Sequence, residues 1–398
     1  MTGQAPSFAP MHDYTAAVYP VNDQLLSTRD LLSRFVDTEH HINGLSRFSD
    51  LHLKTGEAVP YRYDGDLAPV PGGVPLTREI CERLVFPLLN PKQIELIQAD
   101  PPTDIDASWE WPEHKTNFRL NVFHDRDGLS AVLRVLPTNI PEVDQIGFPN
   151  DRVWQEICGL SQGLVLVTGQ TGTGKSTTIA AMLKQINRTR RVRVITLEDP
   201  IEYILKSDRA LFSQREVNRH VGSFAQGLRS ALREDPDIIY VGEMRDPETA
   251  ALALTAAETG HLVFSTLHTR DTRSAITRII DMFPAERTKE VATQLSLSLH
   301  SVMCGRLLSR VGGGRILAME VLKNTTPVGN LIRTGAVHQI QSLIETGMKD
   351  GMNTLDHHLQ LLLHTGKITR EEALLAANDP AAFPPPPVAP AKKGWLGK

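Results

Sequence analysis

Residues 169–176 read GQTGTGKS and match the pattern GxxxxGK[ST]. That spacing lets successive backbone N–H groups curl around phosphate oxygens and ends on one ammonium and one hydroxyl. As a phosphate cradle it gives Gly169, Gln170, Thr171, Gly172, Thr173 and Gly174 to the loop, Lys175 to the β and γ phosphates and Ser176 to Mg2+, with Thr177 completing the nucleotide contacts. A second stretch, REDPDIIYVGEMRD at 233–246, carries an apolar run into Glu243, a carboxylate suited to orienting or deprotonating an attacking water. In TLEDPIE, Glu198, Asp199 and Glu202 cluster after another apolar run. They suit a Mg2+ that keeps several waters, although a solvated acidic turn would look the same. GHLVFSTLHT brackets a third run with His261 and His268, too far apart for helical metal ligation; sensing of a γ-phosphate and a plain structural role both fit.

These side chains act together only if secondary structure delivers them to one place. Leu164–Val167 reads as a buried strand, a helix opens at Lys175, and Arg193–Leu197 and Ile238–Val241 read as further strands, with a helix around Ser223–Leu232. This alternation predicts a mostly parallel sheet covered on both faces, with Ile238–Val241 beside the cradle strand so that Glu243 faces the phosphates. Beyond about residue 270 the chain reads as mainly helical.

Upstream the pattern changes to an α+β unit over residues 26–136. Ser49–Leu53 and Tyr61–Tyr63 read as strands, the latter followed by an Asp64-Gly65-Asp66 turn, and Leu76–Leu89 reads as a helix. Asn117–Phe123 and Ser130–Leu136 read as a strand pair around Asp127-Gly128. Residues 1–25 read as a flexible extension, 137–150 as a proline-rich hinge linker, 151–378 as the α/β domain with C-terminal helices, and 379–398 as a disordered proline-rich tail.

The chain of 398 residues is 41% apolar and 22% charged, the composition of a water-soluble globular protein with room for two domains. A net charge of −4 gives no basic imprint of the kind that direct nucleic-acid binding leaves. Three scattered cysteines form no zinc knuckle or disulfide framework, and nothing approaches the roughly 20 apolar residues of a membrane span. The expectation is a cytoplasmic protein.

GQTGTGKSTT, TLEDPIE, LREDPDIIYVGEMRD, AAETGHLVFSTLHT and RIIDMFP, in this order, resemble the secretion ATPases of type IV pili and type II secretion. FSDLHLKTGEAVPYRYDGDL resembles the opening of the type IV pilus retraction ATPase family, PilT and PilU, and the similarity runs over about residues 45–380. The resemblance implies an α/β fold in which a RecA-like P-loop ATPase domain is preceded by an α+β PAS-like domain. It further implies a homohexamer, ATP and Mg2+ as cofactors, and pilus retraction (twitching motility, pilin disassembly) as the work done. The site would lie at the pilus base, peripheral to the inner membrane, against an inner-membrane platform protein. Arg119 in FRLN and Arg134 in VLRVLP match two arginines that the family brings near the nucleotide, although a strand arginine is usually surface decoration. Such a guanidinium fork can stabilise charge on a transferring phosphoryl group.

Two departures keep alternatives open. The family's AIRNLIRE segment is TPVGNLIRTG here, and the stretch after it is as similar to PilU as to PilT, which leaves an accessory PilU-like motor as a reading. A type II or conjugative type IV secretion ATPase shares most of the motifs. Pilus-assembly ATPases usually carry a tetracysteine zinc insertion that this chain cannot build. A ring-forming regulator with little turnover would not need Lys175, Ser176 and Glu243 together.

Overall fold

The computed structural model describes residues 13–42, 45–63, 66–114, 116–136 and 139–384. The chain forms two compact units: one runs to Asn139 and takes in Pro200–Ile204, and the other comprises Ile140–Asp199 and the chain from Leu205 onward.

The first unit is built on a six-stranded antiparallel sheet. Its strands are β1 Phe48–Lys54, β2 Pro60–Tyr63, β3 Asp66–Pro69, β4 Ile105–Trp111, β5 Thr116–Asp125 and β6 Gly128–Val135, in the order β3-β2-β1-β6-β5-β4. Period-2 alternation sorts the two faces. Phe118, Leu120 and Val122 of β5 point into a core with Leu51, Leu53 and Leu133, while Arg119 lies on the opposite face. Helix α1, Arg78–Val85, starts on the Thr77 side chain and buries Cys81, Leu84 and Val85 in the same core.

One expectation fails at this end of the chain. Tyr19–Val21 and Gln24–Leu26 form a hairpin rather than part of a flexible extension. Tyr19 is wholly buried and its hydroxyl accepts the Val59 N–H, an anchor too short to show as periodicity. Residues 1–12 and the Asp64-Gly65 pair of the expected turn lie outside the described residues.

The second unit contains a seven-stranded sheet: β7 Gly163–Thr168, β8 Arg193–Glu198, β9 Leu211–Glu216, β10 Ile238–Val241, β11 Leu262–Leu267, β12 Leu299–Ser309 and β13 Arg315–Lys323. The order is β9-β8-β10-β11-β7-β12-β13, parallel throughout except that β13 runs antiparallel to β12. Strands β7, β10 and β11 are buried at every position, as a sheet covered on both faces requires. Helix α2, Lys175–Thr189, packs Ile179, Met182, Leu183 and Ile186 on the face that carries Val165, Val167 and Phe264. Helices α3 Pro247–Glu258, α4 Thr272–Asp281 and α5 Thr288–Ser298 cover the other face over Leu164, Leu166 and Val263. Each such aliphatic side chain stabilises the fold by roughly 1.5–3 kcal/mol of burial.

Several boundaries differ from expectation. Ile238–Val241 is not beside the cradle strand, because β11 lies between them. The chain beyond 270 is mainly helical as expected, but β12 and β13 interrupt it with a long hairpin around Gly312, Gly313 and Gly314, all at positive φ. From Ile140 onward the expected hinge is tied down, since Lys184 donates to the Ile140 carbonyl and pairs with Glu142. Residues 137–138 lie outside the described residues. Pro380–Ala382 is a helical turn and Phe383 is buried against Leu359 and Ala373, so order extends past 379; residues 385–398 are not described. No helix among the described residues is long and apolar enough to cross a membrane.

Candidate functional site

The glycine loop joins β7 to α2 at the carboxyl end of the sheet, and its glycines are there for two reasons. Gly172 and Gly174 have φ of +81° and +84° with open space around them, so their role is conformational. Gly169, at φ +143°, is steric as well: a Cβ there would stand 2.5 Å from Thr173 Oγ1 and 2.7 Å from the Gly305 carbonyl oxygen. Thr173 tightens the turn by donating its hydroxyl to the Gln170 carbonyl at 2.9 Å. No side chain caps α2 at Gly174, which leaves its leading N–H groups turned to the loop. Lys175 is buried, and its ammonium donates to the carbonyls of Gly169 at 3.0 Å and Gln170 at 3.1 Å.

The intervening strand β11 turns out to be useful. It ends beside His268, whose Nδ1 lies 3.4 Å from Lys175 Nζ while its Nε2 lies 3.4 Å from Glu243 Oε1. An ammonium can only donate, so Nδ1 is the acceptor and Nε2 carries the proton that faces the carboxylate. Lys175, His268 and Glu243 are thereby joined in one chain of contacts.

Glu243 reaches this position because Gly242 allows a tight exit from β10. The Gly242 N–H donates to the Leu197 carbonyl at 2.7 Å, and a Cβ would stand 3.1 Å from that same oxygen. Thr266 Oγ1 donates to the Gly242 carbonyl at 2.6 Å, fixing the link from the β11 side. Beyond Glu243, Arg245 donates from Nε to Glu243 Oε2 at 2.8 Å and approaches Asp199 Oδ2 at 3.8 Å. The Glu243 carboxylate pushes the Arg245 pKa above its ordinary value, so the guanidinium is held firmly charged.

The remaining acidic candidates separate. Glu198, the last residue of β8, is buried and accepts from Thr196 Oγ1 at 2.6 Å and Gln214 Nε2 at 3.1 Å. Its partner in register is Glu216, a second buried carboxylate. Glu202 lies on Pro200–Ile204, the segment grouped with the first unit, and is not among the residues this unit assembles.

His261 belongs elsewhere. It stands at the amino end of β11, about 20 Å from the carboxyl end at the usual rise per residue. There its ring Nδ1 lies 3.0 Å from the Ala256 carbonyl, closing the C-terminus of α3. Within one chain, the two histidines at opposite ends of this strand do not come together.

Arg119 and Arg134 are in the first unit, directly paired across β5 and β6 and therefore on one face. Arg134 Nε donates to the buried carboxylate of Asp50 at 2.7 Å, and Arg62 approaches its other oxygen at 3.7 Å. The sequence reading missed Arg245, Glu216, Gln214 and the Asp50–Arg62 pair. Only Arg245 carried a signal, being two residues beyond Glu243 and opposite in charge.

The geometry fits a magnesium nucleotide on its own terms. The cradle is too tight at Gly169 for any side chain, an ammonium is held at its mouth, and Ser176 stands in the first turn of α2. Asp199, which follows β8 and lies 3.8 Å from Arg245, adds a carboxylate oxygen, and hydroxyl and carboxylate oxygens are the donors Mg2+ takes.

The family described as type II/IV secretion system protein matches residues 38–313. The chain is 45% identical over 335 residues to the type IV pilus retraction ATPase PilT of Pseudomonas aeruginosa, covering 84% of this chain and 96% of that one. It is 44% identical to a twitching motility protein of Neisseria gonorrhoeae, over 85% of this chain and 91% of the other. Among solved structures, the pilus retraction motor PilT with bound ADP superposes with a TM-score of 0.75 at 42% identity, over 84% of this chain and 94% of that chain.

Proposed function

The chain belongs to the type II/IV secretion system protein family, and from that premise we propose that it is the ATP-hydrolysing motor of type IV pilus retraction. The observation that carries this reading is the contact chain Lys175–His268–Glu243, which ties the phosphate cradle to a carboxylate at 3.4 Å per step. The relatives named for pilus retraction and twitching motility match nearly end to end, and that supports the direction of the work.

In the proposed reaction Gly169–Gly174 wrap the phosphates, and Lys175 exchanges the Gly169 and Gln170 carbonyls for the β and γ oxygens. Thr171, Thr173 and Thr177 line the cradle. Glu243 orients a water in line with the γ-phosphorus and accepts its proton, the remaining contribution being position and charge. Ser176, with Asp199 and Glu198 through water, would hold Mg2+, which when bound would supply positive charge against the phosphates. Glu202 is a further water-mediated candidate. His268 senses whether Lys175 is engaged with phosphate. Arg119 and Arg134 supply positive charge from the first unit.

We further propose a homohexamer in which a PAS-like first unit and a RecA-like second unit move with each turnover. The antiparallel sheet backed by α1 and the parallel sheet with its glycine loop support those two fold readings. The ring would sit on the cytoplasmic face of the inner membrane, against a platform protein.

Steady-state ATPase measurements on the purified chain test the site. Lys175→Ala should abolish turnover, and Glu243→Gln should bind ATP yet hydrolyse it slower by on the order of 10² to 10⁴, the range for a lost general base. A wild-type rate in Glu243→Gln contradicts the reading.

A further inference from the structure

The link from β10 to α3 holds one more charged side chain in a defined place. Arg245 is fixed on both sides. Before it, Met244 is buried and its N–H donates to the Thr266 carbonyl at 3.3 Å. After it, Asp246 caps α3 by accepting the Thr249 N–H at 2.8 Å. The backbone at Arg245 therefore has little freedom, and the direction of its side chain is set by the fold.

That side chain commits its guanidinium to two acids that end neighbouring strands. Nε and one terminal nitrogen both stand 2.8 Å from Glu243 Oε2, and the other terminal nitrogen is 3.8 Å from Asp199 Oδ2. Its side chain is 59% exposed, and an exposed ion pair adds little to fold stability, at most about 1 kcal/mol. A glutamate side chain turns about three bonds, and here the fork takes Oε2 while Oε1 is left toward His268. The charge between Glu243 and Asp199 also offsets the repulsion that would drive the two carboxylates apart.

We propose that Arg245 is a positioning residue for hydrolysis: its fork on Glu243, braced toward Asp199, sets the rotamer in which Glu243 takes the proton of the attacking water. This rests on Glu243 as general base. It differs from a role in which Arg245 itself touches the γ-phosphate, because a positioning residue has nothing left to do once Glu243 is gone.

The test is a double-mutant cycle on the full-length chain, read by single-turnover ATP hydrolysis and by binding of a fluorescent ATP analogue. Arg245→Ala should lower the hydrolytic rate about tenfold or more while the dissociation constant stays within about twofold, the mark of an interaction made only in the transition state. Arg245→Lys, which keeps the charge and loses the fork, should recover only part of the rate. In the Glu243→Gln background, Arg245→Ala should change the residual rate by less than about twofold, since coupled residues are non-additive. A further fall of about tenfold in that background would overturn positioning in favour of direct phosphate contact. Full recovery by Arg245→Lys, or an unchanged rate in Arg245→Ala, would overturn it as well. A wild-type rate in Glu243→Gln alone would instead remove the reading of Glu243 on which the inference rests.

Discussion

Replacing Gly169 by alanine separates the steric role of the cradle from its conformational one. The new methyl would stand 2.7 Å from the Gly305 carbonyl oxygen, a backbone atom in the middle of β12, and 2.5 Å from Thr173 Oγ1. Moving Thr173 breaks its bond to the Gln170 carbonyl, worth about 1 kcal/mol. Holding a non-glycine residue at φ +143° adds roughly 1–3 kcal/mol of strain. The total of about 2–4 kcal/mol must appear as lost stability of the nucleotide-free chain, as lost nucleotide affinity, or divided between them. If it falls on affinity, binding weakens by roughly 30-fold to 10³-fold, at about 1.4 kcal/mol per tenfold. Gly172→Ala is the control, with nothing within 4 Å of its Cβ, so only the left-handed backbone cost of about 1–2 kcal/mol applies. Urea unfolding and titration with a fluorescent nucleotide measure both quantities on both variants. Equal effects in the two variants, or a Gly169→Ala chain with unchanged stability and affinity, would refute the packing argument.

Two further outcomes follow from other parts of the structure. His358 is buried on Leu355–His364 and accepts the Met319 N–H through Nδ1; burial pushes its pKa down from 6.5 to about 4. The unfolded chain then binds more protons between those values, so this contribution is present above pH 6.5 and is lost as pH falls toward 4. The loss approaches about 3 kcal/mol, and urea midpoints of His358→Gln should fall less steeply over that window than those of the wild-type chain. Arg119→Ala and Arg134→Ala should each bind nucleotide but lose turnover, and mixing either with wild-type chains should depress activity more than dilution does. A strictly proportional fall would mean that subunits work alone.

The parts of this site that were legible in the sequence are those whose chemistry depends on short-range spacing. Three glycines, a lysine and a serine within eight residues, between a buried run and a helix start, can hardly do anything else, and Glu243 was legible from the apolar run it terminates. What escaped was set by strand order and register. Nothing local to Ile238–Val241 reveals that β11 separates it from β7, and that separation is what puts His268 between Lys175 and Glu243. The separation of His261 from His268 escaped for the same reason, because a strand's two ends face different surfaces. The β12–β13 hairpin was readable in principle, since Gly312-Gly313-Gly314 separates two apolar segments, but those segments carry enough apolar residues to pass for helix. Arg245 gained meaning only when Met244 and Asp246 proved to be anchored on either side.

The claim that this chain drives retraction is tested most directly by deleting its gene in the native host and counting surface pili by electron microscopy. Complementation with wild-type and Glu243→Gln alleles shows whether hydrolysis is what matters. Pili in normal or increased number are expected on the deletion strain and on the Glu243→Gln strain, with twitching motility lost in both and restored by the wild-type allele. Bald cells in the deletion strain would contradict it, because they would mean that this ATPase extends the fibre rather than withdrawing it.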